Sequence, residues 1–551
     1  MEADVCDFAS YDCYDVNNNG FMGYELEGGD YTLSLRTNAH TVATLAEGSL
    51  QSAEITYKVQ DEGYKLDKDP VTGNAVTNRF TNYTNAVSGA TSAREEPSLN
   101  TQLTAYSVDG KDTPYAYTEM SRKNFAETFP VYDSGFGAMS EEFAESSYVA
   151  CTPRINDKDV APKTDSTDTN HKLLDFIYVV KDENGNPILG EDGKEQYALV
   201  DYDDPRWDEL VSQLSVYAMA MLTAKGGFGT IDLEEIGKPR AVDKDGPSGF
   251  NANVTMGGEL KACTNFPCET LIGSTWDWKI SYKFGHGIGE EANALGVDGI
   301  YGPGANIHRN VLNGRNFEYY SEDPVLSGIM TAYTVYGCKE KGVYCWIKHF
   351  VLNENEEGRT SMYQFCSEQA LREIYLKPYE MAVKRGGANA IMTSYGRVGT
   401  VRASASYALN MAVLRGEWGF KGAVITDYYN GSVTHDADEC IRAGNDLMLD
   451  PNGNERYYGD LKSATTIKAL HESSKHILYC YLETKYVSKV ATGLDLSTVI
   501  GTKSQVFEWW KVVLYVFDGV IVGCGVALGV LAFLHYRKNK KLSEIPTENG
   551  G

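Results

Sequence analysis

The chain has 551 residues, 42% of them hydrophobic and 23% charged, with a formal net charge of −26. Such a chain buries a large core and divides into about two to four structural units, which excludes a disordered protein. Its acidity opposes the phosphate backbone of nucleic acids and leaves a neutral or cationic small substrate as the better fit.

Eleven cysteines, an odd number with no C-x-x-C spacing, suit neither a disulfide framework nor a zinc site and read as buried free thiols. No cofactor and no metal is expected. The opening residues, Met1 to Cys6, have neither the basic nor the apolar stretch of a signal peptide, so the start of the natural polypeptide is expected to be missing.

Segment 1–59 reads as a partial β domain. Tyr31, Leu33 and Leu35 alternate with Thr32, Ser34 and Arg36 after the Gly28-Gly29 turn, and alternation returns over 53–59. So few strands cannot close a sandwich alone. Asp15, Asn17, Asn19 and Gly20 begin like a calcium loop, but the twelfth position is Leu26 and the flanks read as strands, so no calcium is assigned. Segment 60–203 is polar and turn-rich, a connecting region with hairpin signals at 176–180 and 197–200.

The pattern changes at Asp204-Pro205-Arg206-Trp207, where a helix carrying Leu210, Leu214, Ala218 and Met221 opens a domain over 204–500. Short apolar runs then alternate with helical stretches, at 299–301, 343–347, 390–392, 423–425 and 446–449, with helices including 367–384 and 406–418. This is βα repetition. The fold class is α/β, and a TIM-type (β/α)8-like barrel accounts for it most economically. The glycine spacing at 285–289 follows no strand and is read as a small-residue helix face, not a nucleotide loop.

The run 512–534 is long and apolar enough for a transmembrane helix, placed at 509–535 with Trp509 and Trp510 at its start. Arg537, Lys538, Lys540 and Lys541 follow, so the tail 536–551 is expected in the cytoplasm and the barrel outside a cell membrane. The lipid bilayer is therefore an expected partner.

In a barrel of this kind the reacting groups gather where strands end. The run ending at Thr426 is followed by Asp427, that ending at Ile347 by Lys348 and His349, and that ending near Ser394 by Tyr395. A carboxylate, cationic or hydrogen-bonding groups and an aromatic ring suit a sugar, whose hydroxyls take hydrogen bonds while its apolar face stacks.

The segment Gly302-Pro303-Gly304-Ala305-Asn306-Ile307-His308-Arg309, followed by Gly314-Arg315-Asn316-Phe317-Glu318-Tyr319-Tyr320-Ser321-Glu322-Asp323-Pro324, resembles the signature of family 3 glycoside hydrolases. Lys348-His349-Phe350 with Asn353, then 394–398, then 414–420 leading to Asp427, follow in that family's order. The resemblance covers about 204–487. Tyr24 to Tyr31 further resembles the fibronectin III-like β domain of β-glucosidase-type members whose two halves occur in swapped order.

The resemblance implies retaining hydrolysis of terminal β-linked glucosyl or related residues, with Asp427 as nucleophile. It implies that Asp245, Arg315, Lys348, His349 and Tyr395 hold the sugar, with Tyr428 as an aromatic wall where the family usually has Trp. The family's acid/base is a Glu from a companion α/β sandwich domain that this chain does not contain, so a missing or partner domain is expected to supply it. The loop after Lys348-His349 disfavours the N-acetylglucosamine-specific type. The alternative reading is a membrane-tethered, non-hydrolysing sugar-binding protein or an inactive fragment lacking the acid/base domain.

Overall fold

Polar, β-forming segments come first along the described chain. Strands β1 (Ser10–Asp12), β2 (Gly23–Leu26) and, further on, β5 (Tyr64–Leu66) form a three-stranded antiparallel sheet. Between them β3 (Gly29–Ser34) and β4 (Glu54–Val59) pair as a separate antiparallel ribbon. The computed structural model describes residues 8–80 and 155–486, short internal stretches excepted. All of this lies in the first of two compact units, Met1–Gly493. The expected transmembrane run falls, Ala532 excepted, outside the described residues. Among the described residues no helix is long and apolar enough to cross a membrane.

The β segment does not end at 59 as its alternation implied, because β5 pairs with β2 and residues 69–80 continue onto the next domain. The hairpin expected within the connecting region is present as β6 (Ile177–Val179) against β7 (Tyr197–Leu199). The helix expected to carry Leu210 through Met221 is two helices, Arg206–Ser212 and Val216–Ala224. The Ser215 side chain accepts a hydrogen bond from the Ala218 N–H, so it caps the second helix and breaks the run.

Beyond 240 the strands of the barrel wall run parallel. β9 (Gly299–Tyr301) lies between β8 (Asp243–Asp245) and β10 (Tyr344–Cys345). β11 (Ile347–Phe350), β12 (Ala390–Thr393), β13 (Ala423–Tyr428) and β14 (Leu447–Leu449) form a second parallel arc in that order. The arcs meet where β10 runs on toward β11 and Gly304 bridges Lys348. Helices such as Trp278–Leu295, Pro324–Lys339 and Ala464–Tyr486 supply the outer layer. Strands covered on both faces need continuous apolar runs, and Ile347, Ile391, Val424 and Ile425 are fully buried.

The ring is closed by residues 226–230. On one side Gly226 N–H donates to Met448 O (2.9 Å) and Gly227 N–H to Asp450 O (3.1 Å). On the other, Asp243 N–H donates to Phe228 O and Ala241 N–H to Thr230 O, an antiparallel pattern. The structure is thus a TIM-barrel-like α/β domain with a reversed closing stretch, not a ring of eight equivalent parallel strands. Glycine permits the closure: a Cβ on Gly227 would lie 2.0 Å from Pro451 N, and one on Gly229, at φ +128°, 2.1 Å from Ala241 O.

A buried charge cluster clips the β segment to the barrel. Arg372 Nε donates to Glu368 Oε1 (2.9 Å) and Nη1 to Glu417 Oε2 (2.7 Å), with the guanidinium 4.5 Å from the centre of the Tyr11 ring. Glu368 also accepts the Arg79 and Phe80 backbone N–H groups, and Arg79 reaches Glu417. Removing Arg372 leaves Glu368 and Glu417, both buried, without the guanidinium they share. Arg372→Ala is expected to cost about 3–5 kcal/mol of stability, read by urea unfolding followed through tryptophan fluorescence; a loss below about 1 kcal/mol would contradict this role.

Candidate active site

Five strands or their following turns deliver the expected residues to one end of the barrel. Asp245 ends β8, Lys348 and His349 lie on β11, Tyr395 follows β12, and Asp427 and Tyr428 end β13. Arg315 arrives from the long turn after β9, and its placement depends on Gly304, where a Cβ would fall 2.3 Å from Glu318 O. The Asp323 carboxylate caps the following helix by accepting the Val325 and Leu326 N–H groups, with Pro324 in its first turn. The 302–324 motif therefore encodes a strand end, an arginine-bearing turn and a helix start.

The charges form an alternating chain. Asp245 Oδ1 lies 3.5 Å from Lys348 Nζ, which lies 3.4 Å from Glu318 Oε2. Glu318 pairs with Arg315, whose Nη1 is 3.4 Å from Glu356 Oε1. Glu356 Oε2 is 3.3 Å from Arg359 Nη1, which stands 3.8 Å from Asp427 Oδ2. Burial pushes the Glu318 carboxyl upward, but Lys348 and Arg315 outweigh it and hold it below the usual range.

Asp427 presents one oxygen. Its Oδ1 accepts the Tyr428 N–H (2.7 Å), whereas Oδ2 has no hydrogen bond among the described residues. Oδ2 faces His349 Nε2 at 3.7 Å and Arg359 at 3.8 Å. Burial raises the Asp427 pKa, and Arg359, the Tyr428 N–H, Arg315 and Lys348 only partly offset it.

His349 stays neutral, because burial and then Arg315, Lys348 and Arg359 hold its pKa well below the ordinary value. Asn306 brackets its backbone: Asn306 Oδ1 accepts the His349 N–H (2.8 Å) and Nδ2 donates to the His349 carbonyl (3.1 Å). Tyr395 O–H donates to the Tyr428 carbonyl (2.5 Å), and the Arg359 guanidinium lies 4.9 Å from the Tyr395 ring centre. Tyr428 is 40% exposed, and its ring is open to a ligand.

All the expected site residues therefore come together, Asp245 at the more exposed edge. Glu318, Glu356, Arg359 and Asn306 were not singled out from the sequence. Glu318 stood within reach, three residues after Arg315 in the quoted motif, the spacing at which neighbours on a helical turn pair. Arg359 carried no such signal, because only the folded loop brings it to Asp427. Among the described residues there is no group of His, Cys, Asp and Glu that would hold a metal.

Residues 248–478 match the Glycosyl hydrolase family 3 N terminal domain. The chain is 38% identical over 244 residues to a β-glucosidase of Rhizobium radiobacter, covering 44% of this chain and 29% of that protein. It is 39% identical over 251 residues to β-glucosidase A of Butyrivibrio fibrisolvens, again 44% of this chain and 29% of that protein. A crystal structure of a β-glucosidase from Paenibacillus barengoltzii superposes with a TM-score of 0.55 at 26% identity, covering 89% of this chain and 48% of that one. Over residues 248–478 the barrel is thus similar to the family 3 glycoside hydrolase domain. The chain spans just under a third of the length of these curated relatives.

Two stability predictions follow from the buried carboxyls. The folded pKa of Asp427 lies above its ordinary 3.8, so its ionised form burdens the fold above the raised pKa and the burden vanishes below 3.8. Asp427→Asn is expected to raise the melting temperature near pH 7, with the gain shrinking as the pH falls toward 3.8; an unchanged or lower melting temperature at pH 7 contradicts this. Glu269, beside Glu318 and Lys348, is pushed up to about 8, chiefly by burial, from 4.5. Stability should decline as the pH rises between those values, and Glu269→Gln should flatten that slope in melting curves taken across the range.

Proposed function

We propose that this domain supplies the nucleophile and sugar subsite of a retaining β-glucosidase. The observation that carries the reading is Asp427, with Oδ1 pinned by the following N–H and Oδ2 left without a hydrogen bond among the described residues, at a strand end lined by cations. The β-glucosidases to which the chain is similar support the substrate class.

In this reading Oδ2 attacks the anomeric carbon of a terminal β-glucosyl residue, the bond to the leaving oxygen breaks, and a glycosyl ester forms on Asp427. Water then cleaves the ester and returns the carboxylate, so configuration is retained. Neutral His349, Lys348, Arg315 and Asp245 hold the hydroxyls, with Tyr395 and Tyr428 as aromatic walls. Arg359 keeps Asp427 ionised despite its burial and must yield part of its position to the sugar.

The leaving oxygen needs a proton donor. Asp245, Glu318 and Glu356 each face a Lys or Arg, which suits them to electrostatic and orienting roles. The acid/base is therefore assigned to a further domain, as part of a longer chain or as a partner, in an enzyme of swapped domain order. The segment 8–80 is read as belonging to its fibronectin III-like part. The run 512–534 is read as anchoring the chain in a cell membrane with the barrel outside.

A 2-deoxy-2-fluoro-β-glucoside with an activated leaving group needs little acid assistance and tests the nucleophile alone. Intact mass spectrometry should show a fluoroglucosyl adduct on the parent chain and none on Asp427→Ala. An adduct on both, or on neither while a glucose-shaped cyclic amine still binds, would exclude Asp427 as the nucleophile.

A further inference from the structure

Behind Tyr395 stands a histidine. His435 is fully buried, with its ring near-parallel to two tyrosines. The Tyr395 ring centre lies 5.2 Å away at an interplanar angle of 27°, and that of Tyr429 lies 6.2 Å away at 17°. Tyr429 in turn packs against Tyr457, with ring centres 4.7 Å apart. A column of rings thus runs from the sugar-facing wall through buried His435 and Tyr429 to half-buried Tyr457.

The histidine is anchored independently of Tyr395. Its Nδ1 is hydrogen-bonded to Ser404 Oγ at 2.8 Å, and the carbonyl of the preceding Thr434 accepts from Arg402. The following Asp436 caps the helix Ala437–Arg442 by accepting the Glu439 N–H. Neighbours on both sides in sequence are therefore fixed. Burial, and secondarily Arg402, holds the imidazole pKa down to about 3, so the ring is an uncharged flat surface at any working pH. Its Nε2 has no hydrogen-bond partner among the described residues, so the side chain offers shape more than polarity.

The consequence reaches the nucleophile in two steps. Tyr395 O–H holds the Tyr428 carbonyl, and the N–H of the same Tyr428 holds Asp427 Oδ1. A tyrosine ring free to tilt would loosen Tyr428, the residue whose N–H orients the carboxylate. We propose that His435 is a positioning residue: its buried flat ring, between Tyr395 and Tyr429, keeps the Tyr395 ring upright and so sets the orientation of Asp427 and of the sugar-facing wall. This rests on the reading of Asp427 as nucleophile.

The test compares the parent with His435→Phe, which keeps a flat ring, and His435→Ala, which removes it, each checked for a cooperative melt. Two readouts are taken, the rate of labelling by the fluoroglucoside and the calorimetric affinity for a glucose-shaped cyclic amine, whose cation pairs with Asp427 without reacting. His435→Ala should lower both by about tenfold or more, whereas His435→Phe should stay within about threefold of the parent. In a Tyr395→Ala background, adding His435→Ala should cost little further, because the histidine acts through the tyrosine.

Equal values for parent and His435→Ala would overturn the proposal, and so would a His435→Phe no better than alanine or full additivity with Tyr395→Ala. A parent that binds the amine but is not labelled overturns the nucleophile reading alone, and the amine affinities then judge His435. A parent that neither binds nor is labelled overturns both.

Discussion

The site depends on keeping charges stable at its inner end, where Lys348 and Glu318 are buried. A lone buried carboxylate or guanidinium is very costly, and each becomes tolerable only beside an opposite charge with good geometry. Lys348 between Asp245 and Glu318, and Arg315 between Glu318 and Glu356, meet that condition. Glu318 is the hinge of the arrangement, since it touches both cations and is itself almost fully buried. The cations Lys348 and Arg315 are thereby held by Glu318 and do not collapse onto Asp427.

Asp427 is the exception that makes the rest useful. Its neighbours offset only part of the burial penalty, so its pKa rises, and one oxygen lacks a hydrogen bond among the described residues. In the proposed role as nucleophile, a fully satisfied carboxylate would be more stable and less reactive. Stability given up at one carboxylate is the pattern expected where function and folding compete.

The remainder of the barrel makes such an arrangement rigid. Strand ends supply positions set by pairing in the sheet, and loops such as 353–362 supply reach. The cluster around Arg372 ties residues 8–80 to the helices bearing Glu368 and Glu417. The β segment is thereby part of the same folded unit as the barrel and not a loosely tethered appendage.

The parallel strands were legible in the sequence, because a strand covered on both faces reads as an unbroken apolar run, and 390–393 or 423–426 is little else. The residue following each run was then the natural place to look for Asp427, Lys348 and His349. β8 was not legible as a strand, since Asp243-Lys244-Asp245 is wholly charged and is a strand only through its pairing with β9. Nor was the reversed stretch 226–230, whose glycines answer to close approach by Pro451 and Ala241 and carry no periodicity. Local hydrophobic patterning by itself determined the class of barrel and the candidate positions at strand ends, while the ordered motifs carried the family resemblance and, as its implication, Asp427 as candidate nucleophile, because all of these lie in contiguous sequence. Which charges meet, that Arg359 and Glu356 join the site, and that His435 backs Tyr395 were decided only by tertiary structure. Those partners come from separate strands and loops, and their pairing is a matter of distance in space that no local pattern records.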